Sequence, residues 1–136
     1  MAAAPSVWTL GHVTNQVHSW LNVRFQQLAP QALISDPRFR TGGDGAFNDW
    51  QVMLAAVTEV RGHATPYMDK LTDHDLDRVI PYDGSIPFLR QTGLPLRYAL
   101  MRIVSHHYIH YGEIATIRSR IGRPIFEGPD WGNSLV

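Results

Sequence analysis

The sequence predicts an all-α fold built on three long helices. Two observations carry this reading. Three stretches repeat apolar residues at three- and four-residue spacing, the period of a helix with one buried face. The segments between them are rich in Pro, Gly and Asp and hold no apolar run long enough to found a sheet.

The first helix is expected from about Pro5 to Leu28, with Pro5 suited to the first turn and Pro30 just past the end. Trp8, Val13, Val17, Trp20, Leu21, Phe25 and Leu28 form its apolar set. A loop from Pro30 to Gly45 follows, with turn chemistry in its Gly-Gly and Asp-Gly pairs. The second helix is expected from Phe47 to Leu71, burying Trp50, Met53, Leu54, Val57, Val60 and Tyr67. Gly62 and Pro66 should weaken or kink its second half.

The segment from Leu71 to Pro95 is punctuated by Pro81, Gly84, Pro87 and Gly93 and reads as an ordered loop. Short extended pieces are expected at Val79–Ile80 and Ile86–Leu89, with room for one hairpin. The third helix should run from Pro95 to Arg120 or Ile121, stopped by Gly122 and Pro124. The tail is expected to be irregular and to dock through Phe126 and Trp131.

The length, 136 residues, suits a single domain, with a helical core over 5–122 and a tail over 123–136. Twelve Lys and Arg balance twelve Asp and Glu, which removes the electrostatic argument for a nucleic-acid or anionic-membrane partner. The amino terminus lacks the basic region of a signal peptide, so a cytoplasmic protein is expected. Cysteine is absent, so the chain offers no thiolate ligand and no cysteine nucleophile. Seven histidines stand against that background: His12, His18, His63, His74, His106, His107 and His110.

At about 100° per residue, Leu96, Ala99, Ile103, His106, His110, Ile114, Ile117 and Ile121 fall within an arc of roughly 80° on the third helix. His106 and His110 thus sit on its core stripe, on adjacent turns, able to converge on one ion. A single histidine on an apolar face is more often a satisfied core residue than a ligand. Two in an isoleucine-lined stripe are harder to dismiss, because each would need its own hydrogen-bond partner, and a shared metal is the competing reading. H-x-x-x-H lacks the glutamate of H-E-x-x-H and so gives no sign of a metalloprotease base. His107 lies at the stripe's edge. A third ligand must come from another helix, from His12, His18, His63 or His74, and His12 is favoured by its place one turn after Trp8.

The third helix, LRYALMRIVSHHYIHYGEIATIRSRIG, resembles the signature helix of the DinB/YfiT-like family of metal-dependent helical bundles. There H-x-x-x-H precedes x-G-(E/Q)-I, which here reads His106, His110, Gly112, Glu113 and Ile114. SVWTLGHVTNQVHSWL resembles the family's other metal-bearing helix, with His12 at the ligand position, and LTDHDLDRVIPY resembles the passage before the last helix. The resemblance spans most of residues 6–122 and implies a helical bundle with a three-histidine site of His12, His106 and His110. Eleven residues precede His12, so it also implies that the family's first helix is missing or replaced. An upstream start, a second subunit, or the Leu71–Pro95 segment with the tail would fill its place. A large uncovered apolar stripe would favour a homodimer.

Three imidazoles leave a coordination position open, the arrangement of a catalytic site. Zinc or nickel is the expected ion, since histidine ligands suit both. Glu113, one turn from His110, is the candidate catalytic residue, as proton acceptor or as the group that orients His110. Gly112 would permit close helix approach or access to the ion. Tyr108 and Tyr111 point away from His110 and are expected to pack. Two functions follow: a metal-dependent enzyme, an S-transferase or isomerase using a low-molecular-weight thiol as its small-molecule substrate, as the wider superfamily implies, or else a hydrolase; or a non-catalytic metal-binding module of the stress-response type.

Overall fold

The structure is a computed structural model that describes residues 6–124. Helix α1 spans Ser6–Val17 and continues without a break as a π-helix over His18–Phe25. A 3₁₀ turn follows at Pro37–Phe39, then α2 over Trp50–Asp69, a second 3₁₀ turn at Asp75–Asp77, strand β1 at Val79–Ile80, the short α3 at Pro87–Thr92, strand β2 at Leu94–Pro95 and the long α4 over Leu96–Arg120. The fold is all-α in architecture, because β1 and β2 make only a two-stranded antiparallel clip, Val79 opposite Pro95 and Ile80 opposite Leu94. The proposed docking of the tail through Phe126 and Trp131 lies outside the described residues.

The first expected helix forms, with its second half wound wider than the periodicity predicts. Turns closing five residues back, such as the Gln26 amide on the Leu21 carbonyl at 3.0 Å, bring His18, Trp20, Leu21, Asn22 and Phe25 inward together. Asn22 is fully buried and donates to the Val60 carbonyl of α2 at 3.0 Å, while its own carbonyl accepts from Gln26 at 2.9 Å. Gln27, at φ 58°, ends the helix in the left-handed region.

Helix α2 starts later than expected, behind Asp49, whose carboxylate caps the Val52 amide at 3.0 Å. Its buried face is Met53, Ala56, Val57, Val60 and Ala64. Trp50 and Leu54, both expected in the core, are 42% and 37% exposed; the small Ala56 and Ala64 occupy the inward positions instead and let α1 approach. The helix runs on through Gly62 and Pro66 to Asp69.

In the Leu71–Pro95 segment the extended piece expected at Ile86–Leu89 is replaced by α3. Pro87 at its first turn presets the helical φ, and Gly93, at φ 82°, stops it. Leu89, Leu94, Leu96, Ala99 and Ile103 then pack with Trp20, Leu21 and Phe25 in one core, which seats the first half of α4. A second core of Ile34, Phe39, Met53, Val57 and Val60 seats the Pro37–Phe39 turn and α2 against α1. His12 belongs to the helix that touches both.

Helix α4 buries the predicted stripe only as far as His110. Ile114, Ile117 and Ile121 are 42%, 40% and 65% exposed, and Tyr108 and Tyr111 project into solvent rather than packing. With Met101, Val104 and Ile109 they leave an uncovered apolar surface on this helix. Among the described residues no helix is long and apolar enough to cross a membrane.

Candidate metal centre

Helix α1 presents His12 and helix α4 presents His106 and His110, four residues apart on one face, so that the three rings meet where the helices touch. Nε2 of His106 lies 3.0 Å from Nε2 of His12 and 3.2 Å from Nε2 of His110. Three nitrogens about 2.0–2.1 Å from a shared ion would stand about 2.9 Å apart at right-angle coordination and about 3.4 Å apart at tetrahedral coordination. The two separations from His106 fall in that interval, and all three ligand atoms lie within 4.8 Å of one another. The rings cross nearly edge to face, at 65° for His12 and His106 and 86° for His106 and His110.

Hydrogen bonds on the far side of two rings fix where their protons sit. Nδ1 of His12 donates to the Phe39 carbonyl at 2.8 Å, and a carbonyl can only accept, so Nε2 keeps its lone pair. Nδ1 of His110 donates to the Glu113 carboxylate at 2.7 Å, with the same consequence. Both lone pairs face Nε2 of His106. A single ring hydrogen there could serve only one of them; Nδ1 of His106 has no partner among the described residues whichever nitrogen carries the proton. Three acceptors, two of them on buried rings, point at one spot and suit a cation.

His106 does not supply that charge as a proton at neutral pH. Burial, then the neighbouring His12 and His110, push His106 down to about 4. Burial also lowers His12, against the opposing pull of the Phe39 carbonyl. Neutral imidazoles with Nε2 free are the form that ligates a divalent ion. The three histidines are therefore positioned to hold a metal ion, and the residues present fit the group.

The loop before α2 supplies the support around His12. Phe39, fully buried, lies so close to Gly11 that a methyl there would sit 2.5 Å from its ring. Asp36 caps the Arg38 amide at 2.9 Å and takes a second bond from the Arg38 guanidinium, which holds the turn. The indole of Trp8 stacks on the His12 ring with centroids 4.4 Å apart and planes 12° apart.

The sequence-predicted residues divide clearly. His12, His106 and His110 come together, and Glu113 sits on the outer nitrogen of His110, 54% exposed in its side chain. His107 turns back to donate to the Ile103 carbonyl at 2.8 Å and stays out of the cluster. Gly112 is not a packing glycine, since a methyl there meets nothing within 4 Å among the described residues. His18 is buried on the π-helix, accepting the Gln31 amide at 2.8 Å, beside a cavity of about 220 Å³ that His63 and Glu59 also line. His74 is exposed. Sequence reasoning missed Phe39, which acts through a backbone carbonyl, and the stacking role of Trp8; the four-residue spacing of Trp8 and His12 was the available signal for the second.

A family model described as the DinB superfamily matches residues 4–114. No curated protein and no solved structure matches the chain significantly.

Proposed function

The chain belongs to the DinB superfamily, and on that premise we propose that it is a metal-dependent enzyme, a thiol-dependent S-transferase or isomerase, built on a divalent ion held by His12, His106 and His110. The single observation that carries this reading is the convergence of three Nε2 atoms, two of them with their outer nitrogens tied to acceptors. Zinc or nickel suits the all-imidazole donor set. When bound, such an ion acidifies a coordinated water or substrate thiol toward neutral pH.

The chain's own residues do the rest. The Phe39 carbonyl and the Glu113 carboxylate orient two ligands and make them more basic, and the buried walls of α1 keep water from two of the three rings. His106, more exposed than the other two, marks the side from which a small molecule would approach. Glu113 lies beyond His110 with its side chain half exposed, where its carboxylate holds the Nδ1 proton and so keeps Nε2 as the nitrogen that would ligate the ion. With no cysteine in the chain, the thiol has to arrive with the substrate.

The test is turnover by zinc- or nickel-loaded protein offered glutathione, bacillithiol or mycothiol together with an activated electrophile. Conjugation that disappears in His106→Ala supports the enzyme. Loaded protein that neither binds these thiols nor speeds their conjugation refutes it, and leaves a metal-binding module whose ion ties α1 to α4.

A further inference from the structure

The Trp8 side chain meets two neighbours closely. Its ring lies flat against His12. The backbone of Gly45, at φ 62°, comes so close that a Cβ added there would sit 2.5 Å from the Trp8 Cβ and 2.6 Å from its ring. Gly45 is buried and sits in the same loop as Phe39, whose carbonyl takes the His12 proton. The loop thus supports His12 directly, through the Phe39 carbonyl, and indirectly, through Gly45 packed against the Trp8 side chain that stacks on its face.

These two contacts constrain different motions. The bond from Nδ1 to Phe39 leaves the imidazole free to rock about the Nδ1···O direction, whereas a ring pressed on its face forbids that rocking. The Trp8 indole N–H is buried and finds no acceptor among the described residues, so what Trp8 contributes is its flat face rather than a hydrogen bond. It also meets the edge of His110, centroids 6.0 Å apart, and so spans ligands from both helices.

We infer that Trp8 and Gly45 are positioning residues of the metal centre: the glycine clears the space that lets Trp8 lie flat on His12, and the stack sets the plane in which Nε2 meets the ion. The inference rests on the metal-binding reading of the three histidines, and it extends the site to a loop residue 33 positions from His12 in the sequence. A glycine is required there twice over, because a positive φ disfavours other residues and the space is filled.

The experiment compares Trp8→Phe, Trp8→Leu and Gly45→Ala with the wild type by two readouts. In metal-free protein, imidazole ¹⁵N–¹H correlation spectra report the tautomer of His12 and the upfield ring-current shift of its carbon-bound protons. In cobalt-titrated protein, chelator competition gives the affinity, and the d–d absorption band gives the ligand field. Trp8→Phe keeps a flat face and should hold affinity within about threefold; Trp8→Leu and Gly45→Ala should lose the ring-current shift, alter the d–d band and bind cobalt about 10–100-fold more weakly. Circular dichroism checks that each variant is folded, and Trp8→Phe answers the question where the others fail that check, through the size of its retained shift. Folded Trp8→Leu with a wild-type His12 spectrum, affinity and band overturns the inference. Wild-type protein that takes up no cobalt overturns the metal reading instead, and the metal-free spectra then decide the stack alone.

Discussion

The carboxylate of Glu113 takes the Nδ1 proton of His110 at 2.7 Å, one helical turn away on α4. The bond turns the opposite nitrogen toward His106 and His12 and raises its basicity. Replacing the carboxylate by an amide keeps an acceptor and removes the charge. Glu113→Gln should therefore weaken zinc binding, and Glu113→Ala weaken it more, within about 10–100-fold overall. Since the side chain is 54% exposed, the melting temperature of the metal-free protein should barely move. A chelator competition that finds unchanged affinity in Glu113→Ala would remove Glu113 from the centre.

Gly112 follows the ligand His110 by two residues, in regular helix, with open space where a side chain would go. Alanine is the better helix former by about 0.8–1 kcal/mol. Gly112→Ala should accordingly raise stability by close to that amount in urea unfolding. A loss of stability would mean that another surface packs on Gly112. If turnover falls while stability rises, the glycine serves access to the ion.

Acid should destabilise the metal-free protein in a defined window. His106 is held at about 4 in the folded chain, against about 6.5 when exposed. Between those values the unfolded state binds more protons, so the stability present above pH 6.5 is lost as pH falls toward 4. His12 and His18, also lowered by burial, act in the same direction. Below that window Asp36 and Asp75, lowered by hydrogen bonds from Arg38 and Thr72, add a separate loss. Thermal melts from pH 7.5 to 4.5 should decline through this range, and the decline should shrink in His106→Gln. A flat profile would contradict the burial of neutral imidazoles.

Asn22 makes the polar contact that joins the π-helix to α2. Asn22→Ala removes a fully buried donor and acceptor and opens a void, at a cost of about 1–3 kcal/mol. Urea unfolding measures it, and an unchanged midpoint would show that the Val60 contact contributes nothing.

Much of this arrangement is legible in the residues. The three long helices follow from apolar spacing, and the pairing of His106 with His110 follows from a four-residue step on the stripe of Leu96, Ala99 and Ile103. His12 is reached through its pattern and through the resemblance of its helix. The supports are not legible, for physical reasons. The Phe39 carbonyl carries no side-chain signature and lies 27 residues from His12. The π winding of His18–Phe25 goes with a tertiary contact, Asn22 on the Val60 carbonyl, which no local propensity encodes. Ile114, Ile117 and Ile121 have the correct period for burial, yet period alone does not say how far a neighbouring helix extends. Trp50 and Leu54 fail in the same way, because Ala56 and Ala64 satisfy the period equally well and fit a closer approach.

The central claim is that three neutral imidazoles, one from α1 and two from α4, share one divalent ion. Elemental analysis of protein purified without chelator tests it most directly, on wild type beside His12→Ala, His106→Ala and His110→Ala. About one zinc or nickel per chain is expected in the wild type, with each variant falling to a small fraction of that. Variants that keep the full wild-type content would contradict the account, whatever the activity of the protein.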